Sequence, residues 1–128
     1  ARQLGWIACS FPDDALAFEH LRPMGSSQQS VFTGRARHGF GQYYMGSDFF
    51  FFTAYCIFRM AHPPYVLGGL ASWWGYVKAA LTRKPQQQDA ELRAFIRAYQ
   101  RRALIVGKSK ATAEIVARQT PVWEARAA

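Results

Sequence analysis

Cysteine is nearly missing from this 128-residue chain, with Cys9 and Cys56 standing alone. Neither belongs to a Cys-x-x-Cys or Cys/His spacing, so no disulfide framework or zinc site is indicated, and a reducing compartment fits best. Acidic residues are also scarce: 8 Asp and Glu face 16 Lys and Arg, for a net charge of +8. That balance favours an anionic partner, whether phosphate groups, nucleic acid or acidic lipid. Neither G-x-S-x-G nor G-x-x-x-x-G-K-[ST] occurs, which removes the signatures of a nucleophile elbow and of a phosphate-cradling loop. No apolar run reaches the roughly 18 to 20 residues that a membrane-crossing helix needs. The start has no initiator Met and no charged-then-apolar signal segment. Ala1-Arg2-Gln3-Leu4-Gly5 reads as a helix tail with a glycine terminator, and the expectation is a chain that begins inside something larger.

What the chain does have is apolar and aromatic material, at 50% and 16%, with the aromatics mostly between Phe40 and Tyr76. That is enough for the core of one domain. Two apolar blocks, Phe49 to Phe58 and Tyr65 to Val77, flank Arg59-Met60-Ala61-His62-Pro63-Pro64. They read as two helices, with Pro63 and Pro64 barring continuation of the first and opening the second. Such a hairpin either lies buried under the rest of the domain or rests at a membrane surface with its aromatics at headgroup level. Between Lys78 and Arg118 ten basic residues (78, 83, 84, 93, 97, 101, 102, 108, 110, 118) face three acidic ones (89, 91, 114). An apolar anchor beside a polybasic arm suits an anionic leaflet, and a solvated basic helix is the plain alternative.

In chain order, residues 6–11 and 15–20 read as short strands around a Pro12-Asp13-Asp14 turn, with their pairing strands expected upstream. Ser26 and Gln29 have capping-box spacing, so a helix is expected to start there. Gly34, Gly39 and Gly41 predict a bent or interrupted helix that permits close approach of another backbone or a ligand. Gly46 ends it and Ser47 caps the next helix. After a polar linker at 82–88, Asp89 caps an amphipathic helix whose apolar face is Leu92, Phe95, Ile96, Tyr99, Ala103 and Val106, and Gly107 stops it. Residues 108–128 are expected to be a partly disordered tail with a weak helix over 111–119. The reading is an α+β fragment, mostly helical. Residues 1–25 would be the edge of an α/β sheet, 26–107 a helical region and 108–128 the tail.

The ordered series Leu4-Gly5-Trp6, strand, Phe11-Pro12-Asp13, strand, His20-x-Arg22-Pro23-x-Gly25 opens a recognisable pattern. It continues with Gly34-Arg35-x-Arg37-x-Gly39-x-Gly41-x-Tyr43-x-Met45-Gly46 and Pro64-Tyr65-Val66-Leu67-Gly68-Gly69-Leu70-Ala71-x-x-Trp74-Gly75-Tyr76. From about Leu4 to Gly107 this resembles the C-terminal part of bacterial family-2 glycosyltransferases of the GT-A fold, the specificity lying in the order of the pieces. The resemblance implies inverting sugar transfer from a nucleotide-sugar donor to a saccharide or lipid-linked acceptor, in surface polysaccharide or glycolipid synthesis. It also implies a divalent metal, Mg2+ or Mn2+, and a peripheral location on the cytoplasmic face of the inner membrane. The family's Asp-x-Asp motif and catalytic base have no counterpart in this sequence. Asp13-Asp14 lacks the spacing, so the fragment alone is expected to be inactive. A non-catalytic peripheral membrane-binding module is the alternative. A nucleic-acid binder is disfavoured, because the aromatics lie in continuous apolar runs and do not alternate with Lys and Arg.

On this resemblance His20, at a strand end, would bind the metal or diphosphate or orient the acceptor. Arg22, Arg35 and Arg37 would pair with diphosphate oxygens. Gln28 would reach sugar hydroxyls, whereas Gln29 is assigned to capping, and His38 and His62 read as structural. Trp73, Trp74 and Tyr76 suit core packing or membrane contact better than sugar stacking. For the membrane the candidates are Phe49, Phe50, Trp73 and Trp74, with Arg93, Arg97 and Arg101 as a basic stripe at i, i+4 and i+8.

Overall fold

The structure, a computed structural model, describes Leu4, Trp6, Ala15 and residues 30–127. The described residues form five helices and no strand. This corrects the expected α+β fragment. Ala15, assigned to the second strand, lies in a 3-10 turn, and Trp6, at the head of the first, has no regular structure; the remainder of both segments lies outside the described residues. Short apolar runs do not by their period distinguish a strand from other structure.

Helix α1 spans Val31–Tyr44. Ser30 caps it, its Oγ accepting from the Thr33 amide at 3.1 Å, so the start lies beyond the expected Ser26 and Gln29 box, itself outside the described residues. The helix is continuous despite its glycines. It ends in a Schellman motif at Gly46, φ +74: the Gly46 amide donates to the Tyr43 carbonyl at 2.9 Å and the Ser47 amide to the Gln42 carbonyl at 3.0 Å. Because Ser47 is held in that motif and its hydroxyl donates to Gln42 Oε1 at 2.7 Å, the cap of the next helix moves to Asp48. Asp48 Oδ1 accepts from the amides of Phe50 and Phe51 at 3.0 and 3.3 Å and starts α2, Phe49–Arg59. Pro63 and Pro64 lie in the turn, and α3 begins after them, Val66–Leu81.

A second Schellman pattern closes α3. The Arg83 amide donates to the Ala80 carbonyl and the Lys84 amide to the Ala79 carbonyl, with Arg83 at φ +48. The linker is tied to the end of α1, since Tyr43 Oη donates to the Lys84 carbonyl at 3.1 Å and the Gln87 amide to the Tyr44 carbonyl at 2.8 Å. Asp89 caps α4, Ala90–Val106, and Gly107 at φ +86 ends it, both as the sequence suggested. Helix α5, Lys108–Ala127, occupies the segment expected as a partly disordered tail. It packs on α4 through Tyr99 Oη and Thr112 Oγ1 at 3.0 Å and a two-bond Arg102 to Glu114 pair at 2.9 and 2.7 Å.

Helices α1 and α3 lie side by side in the same direction, with Gly39 against Ser72 and Tyr43 against Tyr76. A Cβ on Gly39 would fall on the Ser72 carbonyl, and one on Gly75 on the Ala36 carbonyl. Small residues at Gly68, Ser72, Gly75 and Ala79, all buried, make the seam that allows two backbones to approach this closely. Helix α2 runs antiparallel across one side. Its Phe52 stacks on Tyr76 at 5.2 Å, and Phe52, Cys56 and Tyr76 form the buried heart with Tyr43, Tyr55 and Trp73 around it. Burial pushes the Cys56 thiol up to about 11, which makes it a packing residue with no thiolate chemistry near neutral pH.

Candidate functional site

Apart from the Phe52, Cys56 and Tyr76 cluster, the buried positions are small or polar residues, and many of the large apolar side chains face outward. On α2 Phe50, Ile57 and Phe58 are 73%, 61% and 65% exposed, and on α3 Leu67, Trp74 and Leu81 are 59%, 55% and 73% exposed. Ile57 and Leu70 line one open apolar groove of about 230 Å³ with Thr53, Met60 and Trp73, which joins the outer sides of both helices into a single surface. A monomer in water rarely leaves so much contiguous apolar surface uncovered. No helix among the described residues is long and apolar enough to cross a membrane.

The four apolar residues expected at a membrane divide according to helical geometry. Phe50 and Trp74 face outward. Trp73, a hundred degrees round the helix from Trp74, packs on the core and donates its Nε1–H to Thr53 Oγ1 at 3.2 Å. Phe49 is partly covered, its ring 6.1 Å from that of Tyr76. The arginine stripe turns toward the protein. Arg93 donates to Gln86 Oε1 at 3.0 Å, Arg97 Nε to the Gly46 carbonyl at 3.0 Å, and Arg101 Nε to Asp48 Oδ2 at 2.8 Å.

These bonds fasten α4 to the corner between α1 and α2. Gln100, buried, accepts from the Asp48 amide at 2.7 Å and donates to Ser47 Oγ at 3.2 Å, while Tyr76 Oη donates to the Ser47 carbonyl at 2.8 Å. Burial opposes the charge on Asp48, but the Arg101 guanidinium and the Phe51 and Phe50 amides outweigh it and hold the carboxyl below its ordinary value. Sequence reasoning missed this corner. The signal was Gln100, a polar residue at i+4 from Ile96 on an otherwise apolar helix face.

Arg35 and Arg37, expected to share a diphosphate, are separated by two helical positions and therefore lie on different sides of α1. Arg35 is half-buried, and its Nε is sequestered without a hydrogen-bond partner about 4.0 Å from where a Gly68 Cβ would sit. Burial, with the nearby charges of Arg35 and Arg59, lowers the pKa of His38. Arg37 opens into a groove of about 450 Å³ between α1 and α3, where Lys78 and Lys84 join it over a floor that includes Phe40, Gly75 and Ala79. Thr33 and Thr82 stand at its rim. Among the described residues the groove lining contains no acidic side chain.

His20, Arg22 and Gln28 lie outside the described residues. Among the described residues no group of three or more His, Cys, Asp or Glu side chains could hold the implied Mg2+ or Mn2+. No protein family, curated protein or solved structure matches this chain.

Proposed function

We propose that this chain is the membrane-docking helical part of an inverting glycosyltransferase. The enzyme would pass a sugar from a nucleotide-sugar donor to a saccharide or lipid-linked acceptor on the cytoplasmic face of the inner membrane. The observation that carries the docking role is the outward apolar face of α2 and α3, with Phe50, Ile57, Phe58, Leu67 and Trp74 uncovered while glycine, serine and alanine fill the seam behind them. Side chains placed this way lose hydration when they enter the headgroup region, at about 25 cal/mol per Å² of apolar area removed from water, and helices too short to span can lie in that interface. The enzymatic part of the reading rests on the ordered motif series from Leu4 to Gly107.

Vesicle flotation tests the docking. The chain is expected to float with neutral vesicles and more fully with anionic ones, with Trp74 fluorescence shifting to the blue and a Phe50→Asp, Trp74→Asp double variant remaining in the dense fraction. Failure of the wild-type chain to float would refute the docking role. For the chemistry, membranes from cells that make the gene product are given labelled nucleotide sugars and their divalent metal. Transfer of label to lipid or polysaccharide is expected, and vesicle binding without transfer would instead leave a docking module with no chemistry.

A further inference from the structure

We infer that the groove between α1 and α3 holds the phosphate headgroup of an anionic lipid. Arg37, Lys78 and Lys84 grip the phosphate, and Phe40, Ala36 and Ala79 receive the first part of the apolar stem. This rests on the membrane-docking reading and assigns that surface a specific ligand.

The cations come from three separate pieces of chain, namely α1, α3 and the linker after α3, yet meet in one groove of about 450 Å³. None of the three makes an ion pair or a side-chain hydrogen bond to another described residue. Like charges gathered without a counter-charge favour an anion between them, and phosphate oxygens suit guanidinium and ammonium donors. Next, the negative end of α3 does not oppose an anion strongly, because the carbonyls of Lys78, Ala79 and Ala80 already accept from the amides of Thr82, Lys84 and Arg83.

Last, Ala36, Phe40, Gly75 and Ala79 make most of the remaining described lining apolar, and a free phosphate would leave it uncovered. Lys78 follows Trp74 by one turn and precedes Leu81 by three residues on the exposed side of α3. A lipid whose tail shares the apolar phase with Trp74 and Leu81 therefore presents its phosphate at the height of Lys78. Charge and apolarity together select an amphiphile.

The probe is a short-chain phosphatidic acid titrated into the chain in neutral detergent micelles, with the diacylglycerol of the same chains as the uncharged control. Saturable binding of the phosphatidic acid alone is expected. The Arg37→Ala, Lys78→Ala, Lys84→Ala triple variant should bind about tenfold more weakly, the scale of loss when charge-assisted bonds to phosphate are removed. Lys78→Arg should keep the affinity, and a Lys108→Ala, Lys110→Ala variant on α5 should match wild type. Should the triple variant lose helicity in circular dichroism, Lys78→Ala alone carries the comparison. Unchanged affinity in the groove variants, equal binding of the diacylglycerol, or displacement by an equal concentration of inorganic phosphate would each overturn the proposal. Flotation of the groove variants on neutral vesicles is expected to persist, so loss of the phosphate site and loss of the docking surface give different results.

Discussion

Replacing Gly39 with alanine drives a methyl group into the backbone of α3. The new Cβ would meet the Ser72 carbonyl oxygen and carbon and the Tyr76 amide nitrogen, and none of these is a side chain that can turn aside. Two helices must then separate, loosening Tyr43 and Phe52 from Tyr76, whose rings now lie at 5.6 and 5.2 Å. Overpacking of this kind costs about 1 to 3 kcal/mol, and rigid backbone on the receiving side places Gly39 toward the upper end. Alanine recovers about 1 kcal/mol through helix propensity, so the net loss is about 2 kcal/mol. Gly41 supplies the control on the same helix, because a Cβ there has nothing within 4 Å. Gly41→Ala should therefore stabilise by about 1 kcal/mol. For a chain of this size each kcal/mol moves the midpoint by about 3 to 5 °C, so thermal unfolding followed by far-ultraviolet circular dichroism should separate the two variants in opposite directions. If both raise the midpoint equally, the backbone-to-backbone seam between α1 and α3 is wrong.

Two further substitutions probe the corner and the end of α3. Asp48→Ala removes the α2 cap and the Arg101 partner together, and a loss of about 2 to 3 kcal/mol is expected in urea unfolding, the sum of a cap and a charge-assisted bond. Because the Asp48 carboxyl sits below its ordinary value in the folded chain, its contribution is complete above the unfolded-state pKa and disappears as pH falls through the folded one. The stability gap between wild type and Asp48→Asn should accordingly narrow below about pH 4; a gap that stays constant with pH would show that Asp48 acts only as a cap. Arg83 holds φ +48, a conformation that costs a non-glycine residue about 1 kcal/mol or more, so Arg83→Gly should raise the midpoint measured by calorimetry, and a lowered one would contradict the Schellman end.

The parts of the fold written in runs and stops were legible. The two apolar blocks became α2 and α3, and Asp89 and Gly107 bound α4 where their chemistry requires. What the residues could not disclose depends on partners distant in the chain. The glycines of α1 suggested interruption by their propensity, yet Gly39 keeps the helix whole because its missing side chain is the space α3 occupies. Arg93, Arg97 and Arg101 formed a stripe either way, and only the position of the corner at 46–48 gives Arg97 and Arg101 their partners there, Gly46 and Asp48. Arg35 and Arg37 were paired by closeness in sequence, whereas two helical positions put them on different surfaces. The strands rested on apolar runs too short to carry a period, and the described residues offer no strand to pair with.

The seam between α1 and α3 also acts as a gauge. Gly39 and Gly75 set the spacing of the two helices through main-chain contacts, and Gly75 itself lies in the groove while Arg37 and Lys78 stand two and three residues from these contact points. A gap held by side chains can widen as rotamers change, but one held by peptide planes has no such slack. The width offered to a headgroup is therefore set by the backbone, and a ligand too broad for it would have to part the helices, not merely push aside a side chain.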